Sequence, residues 1–496
     1  MTTSLSSPAL NTLADTTSTP GAKPAEVVES RVPQTTPSRF IFLTLCIAIV
    51  MTALAFGTNH FWSLAVFSFV ALLLVILWIA DAWKLRLLRI SRNPLQLSLL
   101  GILIVGVVQL LPFGSPVTAG VLSQNSVNSL SVDPYATRLA IAQLATLLIY
   151  FAATLVFTDS PGRLRLLVRT ITIFGFILAI IGLTQSFTTT KAFWLRELSQ
   201  AAPFGPFINK HHFAGYMEMT LGLPLGMLFA GSIDKEQRFA YLFAVGLMGV
   251  ALIMTTSRGG LISVVAEILF LGIVTGLSSK RKTREVQHKQ QRLRSAAVRT
   301  ALAFTLIIGL LVGVLSLGGE LALSRFVGTV NSEDPTTGRA HFWNVTLDII
   351  KAHPVVGAGM GAFPTVYTRY DSRSGMFRLE QVHNDYLQIL SDSGIVGAAL
   401  GLFFIVMLFR MGFARRESRD EYRGGVALGA LAGCFAVLVH SFFDFTLHTT
   451  ANALLFLVMA ALATMNGRVE RSSGRRRRRR RHHESGPVIV GPERLY

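Results

Sequence analysis

Charge and cysteine are what this chain is short of. Only 15% of its 496 residues are charged, and the 27 acidic residues are outnumbered by 46 Lys and Arg. A soluble protein carries about 25% charged residues, so a large water-soluble enzyme is excluded. The two cysteines, Cys46 and Cys434, both fall inside apolar runs and read as core residues rather than a disulfide. A cleavable signal is also missing. Residues 1–38 are rich in Ser, Thr and Pro without an apolar core, and are expected to form a disordered tail.

What is abundant is apolar length. Hydrophobic residues make up 51% of the chain and the mean hydropathy is +0.51. The 34 Phe and 42 Gly suit helices packed in lipid, where glycine lets backbones approach. About twelve segments are long enough to span a bilayer, centred on 40–57, 61–80, 95–113, 136–157, 166–187, 212–231, 239–256, 260–278, 300–317, 394–410, 424–443 and 447–465. The expected class is an all-α polytopic membrane protein. A transmembrane domain over 39–466 would carry one large, partly helical loop at 318–393, and 467–496 would be a basic disordered tail.

The net charge of +19 is spread over short loops and tails between the apolar runs. Lys84, Arg86, Arg89 and Arg92 follow the second span; Arg163, Arg165 and Arg169 surround the entry to the fifth. Lys280–Arg294 follows the eighth, and Arg410, Arg415, Arg416 and Arg419 mark the exit of the tenth. The positive-inside rule then places both termini in the cytoplasm and the loop 318–393 outside. The run Arg475–Arg481 is open to two readings, attraction to anionic headgroups or a solvated stop-transfer tail. It has no interleaved aromatic residue, and nucleic acid is not an expected partner.

Four outward-facing features carry polar chemistry. His383-Asn384 lies where the polar loop re-enters an apolar helix. An imidazole there is either a helix-start hydrogen-bonding group or a general base, and its ordinary pKa of about 6.5 suits the latter near neutral pH. Arg258, in the tight link Thr256–Gly260, is either an interfacial snorkel or a bidentate phosphate ligand. Lys210, His211 and His212 stand at a helix N-terminus, which favours anions; adjacent histidines do not converge on one metal ion in a helix. His440 and Asp444, spaced i, i+4, are read as one helical face on which the two hydrogen-bond, for packing or for catalysis. Glu218 and Glu267 fall inside apolar runs, as path-marking or protonated packing groups.

In the loop, Gly338–His353 is expected to be a surface helix. Trp343, Leu347 and Ile350 would share one face with Arg339 one turn earlier, and the helix would lie along the membrane surface or cap the bundle with its Arg directed inward. The Gly357–Gly361 segment lacks the spacing and strand–helix context of a nucleotide loop and reads as a flexible turn. No Asp-x-Asp occurs in the outer loops, so no metal is expected and arginines are left to hold any diphosphate.

Taken together these residues resemble the O-antigen ligase superfamily, which includes Wzy-type polymerases and bacterial protein O-oligosaccharyltransferases. His383-Asn384, nine residues, then Gly394-Ile-Val-Gly397 is similar to its H-[NSQ]-x9-G-x-x-[GTY] pattern. Ser257–Gly260, GPFINKHHFAGYM, GRAHFWNVTLDIIKAHPVVGAGMGAF and HSFFDFTLHTTANALL are also similar, over roughly 200–460. Lys210 departs from the family's usual Arg.

The resemblance implies an inverting, metal-independent glycosyltransferase of the bacterial inner membrane, with no cofactor. It would move a glycan from undecaprenyl pyrophosphate to lipid A-core or another glycan acceptor on the periplasmic face. It also implies that His383 is the base, that Arg258, Arg339 and Lys210 bind the donor pyrophosphate, and that Asn384, His212, His440 and Asp444 support them. Polymerase and protein O-oligosaccharyltransferase activities remain alternatives. So does anion transport, in which Glu218 and Glu267 would line a path.

Overall fold

The computed structural model describes residues 33–113, 129–195, 202–281, 308–309, 339–372, 379–418 and 420–465. Within them the regular secondary structure is helical, apart from an isolated bridge between Phe204 and Phe207. The helices are α1 (Thr36–Leu54), α2 (Phe61–Leu85), α3 (Leu95–Gln109), α4 (Pro134–Phe157), α5 (Pro161–Thr188), α6 (Lys210–Ala230), α7 (Arg238–Met254), α8 (Arg258–Arg281), α9 (Arg339–Ala352), α10 (Phe363–Tyr370), α11 (Asp385–Arg416), α12 (Glu421–His440) and α13 (Thr450–Thr464).

Among the described residues nine helices are long and apolar enough to cross a membrane: α1, α2, α4 to α8, α11 and α12. The shorter apolar α3 and α13 occupy two more of the expected positions. The expected span at 300–317 lies outside the described residues except for 308–309, as do much of the loop, 467–496 and all but the last few residues of 1–38. Both cysteines are buried and free.

α6 and α12 form the centre of the bundle, and small residues explain why. A methyl group on Gly226 would sit 2.1 Å from the Gly429 Cα, and one on Gly222 would sit 2.6 Å from the Gly433 nitrogen. Each helix thus presents two glycines four apart, and the backbones touch. The pair is antiparallel, so the start of α6 meets the end of α12. The same end of the bundle holds the end of α7 and the starts of α8, α11 and α13.

Contacts across the termini fix that end. The Asp385 amide donates to the Ser441 carbonyl at 2.9 Å, Thr449 Oγ1 lies 2.8 Å from His212 Nδ1, and Lys210 Nζ donates to Thr256 Oγ1 at 2.7 Å. The opposite end is tied by buried charge. Arg89 bridges Asp81 at 2.7 Å and Asp159 at 2.9 Å, and Arg163 holds Asp159 at 3.2 Å. Two of the arginines counted for orientation are therefore neutralised in the interior.

Beside the site end, α9 and α10 form a small apolar cluster with Ala358 and Val382. α9 is placed as expected, and its inward face overlaps the expected one only in part. Val345 and Ile349 are buried in the cluster, Phe342 and the expected Trp343 pack against it, and the expected Leu347 is exposed. Phe342, Val345 and Ile349 are at i, i+3, i+7 spacing, so the stripe is rotated toward them from the expected Trp343, Leu347 and Ile350.

The Gly357–Gly361 turn is not flexible as expected. The Ala358 amide donates to the Ser391 carbonyl at 2.8 Å and the Met360 amide to Gln109 Oε1 at 3.0 Å. Its partner is a break in α11 at Gly394, where φ is 61° and ψ is −163°, a region essentially open to glycine alone. A methyl group there would meet the Val355 carbonyl oxygen at 2.3 Å.

Candidate active site

Asn384 starts α11. Its side chain accepts from the Tyr386 and Leu387 amides, each at 3.0 Å, and its Nδ2 donates to the Phe442 carbonyl at 3.2 Å. It is thus an N-cap that also ties α11 to the end of α12, and its support of His383 is positional. His383 itself has φ 57°, a left-handed conformation that costs a non-glycine residue about 1 kcal/mol or more.

That conformation directs the imidazole onto Asp444. His383 Nδ1 lies 3.1 Å from Asp444 Oδ1, and the ring packs edge-on against Phe445 with centroids 4.8 Å apart. Asp444 is 2% exposed. Burial alone would raise its pKa, but the hydrogen bond from His383 and the nearby His211, His212 and His383 outweigh it, and the carboxyl is held below its usual range. An ionised Asp444 only accepts, so His383 Nδ1 donates, and in the neutral imidazole Nε2 is the nitrogen that carries the lone pair.

Asp444 also borders a cavity of about 140 Å³. Two guanidiniums, Arg258 and Arg339, and two imidazoles, His211 and His440, line it with Asp444; Gly259 and Phe443 close it. α8 opens with Arg258 and α9 with Arg339, so both side chains project from helix starts. Among the described residues neither guanidinium has a hydrogen-bond or ion-pair partner. Burial pulls the Arg339 pKa down, Asp444 pushes it back up, and Arg258 adds to the fall. Two guanidiniums with no such partner among the described residues, in one small cavity, suit it to an anion.

The other expected residues are distributed unequally. Lys210 is tethered to Thr256, next to Arg258 in the fold but not on the cavity wall. His212 faces away: it is 3% exposed, holds Thr449 through Nδ1 and packs on Phe445. Its neighbour His211 takes the cavity position, with Nδ1 2.8 Å from Ser257 Oγ and 3.9 Å from Asp444 Oδ2.

Successive helical residues point about 100° apart, which sends the two histidines to different partners. The sequence carried a signal for this. His211, Gly215, Glu218 and Gly222 share one stripe of α6, at i, i+4, i+7 and i+11, and Glu218 and Gly222 face α12.

His440 lines the cavity, yet its imidazole does not meet the Asp444 carboxyl as expected; the two are joined only through the backbone, where the Asp444 amide donates to the His440 carbonyl at 3.1 Å. α12 ends at His440, so the i, i+4 pair does not share a helical face, and Asp444 turns instead to His383. His440 Nδ1 holds Glu218, at 3.1 and 3.2 Å from its two oxygens.

Residues 243–402 match the family model described as O-antigen ligase. The matched stretch contains Arg258, Arg339, His383 and Asn384, and the resemblance to the O-antigen ligase and Wzy-type superfamily holds there. The match supports a ligase- or polymerase-like glycan transferase acting as a multi-pass membrane protein. No curated protein matches the chain.

Proposed function

We propose, from the O-antigen ligase match over residues 243–402, that this chain transfers a glycan from undecaprenyl pyrophosphate to an acceptor hydroxyl at the periplasmic face of a bacterial inner membrane. Both termini would be cytoplasmic. The observation that carries this reading is the pair of guanidiniums, Arg258 and Arg339, without a hydrogen-bond or ion-pair partner among the described residues, in one cavity bordered by the Asp444 that meets His383.

In this mechanism His383 Nε2 accepts the acceptor's hydroxyl proton as the oxygen attacks the anomeric carbon. The bond from that carbon to the pyrophosphate oxygen breaks on the opposite face, which inverts the anomeric configuration. Negative charge collects on the departing pyrophosphate, where Arg258 and Arg339 stabilise it without rearrangement. Asp444 stabilises the imidazolium that forms. Pyrophosphate is a good leaving group, so the scheme needs neither a dedicated acid nor a metal ion. Lys210 would add positive field beside Arg258.

Ligase, polymerase and protein O-oligosaccharyltransferase differ here only in acceptor, and lipid A-core is the acceptor of the ligase form. A transport reading would need Glu218 and Glu267 along a passage. Both are fully buried, Glu218 against His440 and Glu267 against Gly222 at the contact between α6 and α12.

The test is transfer from a purified lipid-linked oligosaccharide. His383→Ala is expected to lower kcat by about 10²–10⁴-fold with donor affinity retained. Arg258→Ala is expected to weaken donor binding, and Arg258→Lys to restore it only in part, because the fork is lost. Full transfer by His383→Ala, or donor affinity unchanged in Arg258→Ala, would refute the reading.

A further inference from the structure

Behind the two arginines the cavity has a third potential donor whose far side is occupied by a carboxylate. His440 is 1% exposed and Glu218 is fully buried. Nδ1 of His440 is engaged by both Glu218 oxygens, at 3.1 and 3.2 Å. Nε2 has no hydrogen-bond partner among the described residues, and the ring forms part of the cavity wall. It lies against the first turn of α8: a methyl group on Gly259 would meet Cδ2 at 2.6 Å and Nε2 at 2.8 Å. Glycine is thus what leaves room for this ring beside Arg258.

A carboxylate against one imidazole nitrogen favours a proton on that nitrogen and stabilises positive charge on the ring. The second nitrogen then points at the anion site as a donor. A buried Glu218 with no partner for its charge would be costly in hydrocarbon, so each member accounts for the other.

We infer that His440, held by Glu218, is a third cationic hydrogen-bond donor to the phosphate group that occupies the cavity with Arg258 and Arg339. This rests on the reading above that the cavity takes pyrophosphate. No proton changes hands in this role: Nε2–H donates to a phosphate oxygen and remains on the ring. Glu218 acts only through His440 and is a positioning residue.

The experiment is calorimetric binding of inorganic pyrophosphate, with EDTA present, to the purified full chain in nanodiscs. The variants are Arg258→Ala, His440→Gln, Glu218→Gln and the His440→Gln/Glu218→Gln double. Loss of one charge-assisted hydrogen bond is expected to weaken binding roughly tenfold in His440→Gln. Glu218→Gln keeps the shape and a hydrogen bond to Nδ1 while removing the charge. It should weaken binding severalfold at an unchanged melting temperature, although Glu218 never touches the cavity. The double variant should bind no worse than His440→Gln alone.

If His440→Gln does not fold, Glu218→Gln carries the test. The inference is overturned if Arg258→Ala weakens binding while His440→Gln and Glu218→Gln bind like the wild type; the reading of the cavity then stands. It is also overturned if Glu218→Gln alone is silent, or if the two effects add, which would mark separate structural roles. Arg258→Ala binding like the wild type would remove the pyrophosphate reading and this inference with it.

Discussion

With His383 Nδ1 on one oxygen and His211 Nδ1 3.9 Å from the other, Asp444 sets which nitrogen of His383 is free to take a proton. Asp444→Asn keeps the volume, but its amide also fits the opposite tautomer. Its expected effect is a fall in kcat of about 10²–10⁴-fold, with little change in donor KM; comparable losses in both would assign Asp444 to binding. The same residue predicts a pH dependence. Its pKa is lowered in the folded protein, so its stabilising contribution is complete above the unfolded value of about 3.9 and is lost as pH falls through the lower folded value. The gap in melting temperature between wild type and Asp444→Asn should therefore be fully open at pH 6 and begin to narrow below about pH 4. A gap independent of pH would show that packing, not charge, is what the substitution removes.

At the scale of elements, the contact between α6 and α12 is the joint on which the site hangs, since it sets Lys210–His212 against His440–Asp444. Gly226→Val places a branched side chain where even a methyl group would be 2.1 Å from the Gly429 Cα. Overpacking of a tight core typically costs about 1–3 kcal/mol, and more is expected here because both sides are backbone. The measurement is the melting temperature in detergent, and an unchanged value would mean the helices can part without penalty. Most helices were legible from apolar length alone, because a bilayer demands it of every span. The helix start at His383-Asn384 and the places of Arg339 and Arg258 at helix starts were legible from the sequence, whereas the cap itself falls to Asn384 and not to the imidazole. What escaped was rotational phase. His211 rather than His212 faces the cavity, Leu347 turns out of the α9 cluster, and the His440 ring turns to Glu218 rather than Asp444, because in a bundle polar and apolar residues occur around the whole circumference. The face is then chosen by neighbours distant in sequence, such as Glu218 for His440 and the α11 break for Gly357.

Over the whole molecule the two ends of the bundle use charge in opposite ways. One sets two guanidiniums, without a partner among the described residues, around an open volume; the other closes Arg89 and Arg163 onto Asp81 and Asp159. Asp81→Asn strands part of a buried arginine and is expected to destabilise by about 3–5 kcal/mol, while transfer per folded molecule stays at the wild-type level. Lost donor affinity in that variant would show that the ends are coupled. The central α6 carries one more consequence. It is the least apolar of the nine crossing helices and the most deeply enclosed, so its neighbours, rather than lipid, provide its surroundings. A ribosome delivers α6 some two hundred residues ahead of α12, and a segment carrying Glu218 is a weak passenger for the insertion machinery on its own. A chain truncated ahead of α12 should leave α6 only partly inserted, with glycosylation tags on its two sides reporting mixed orientations that resolve once α12 has been made.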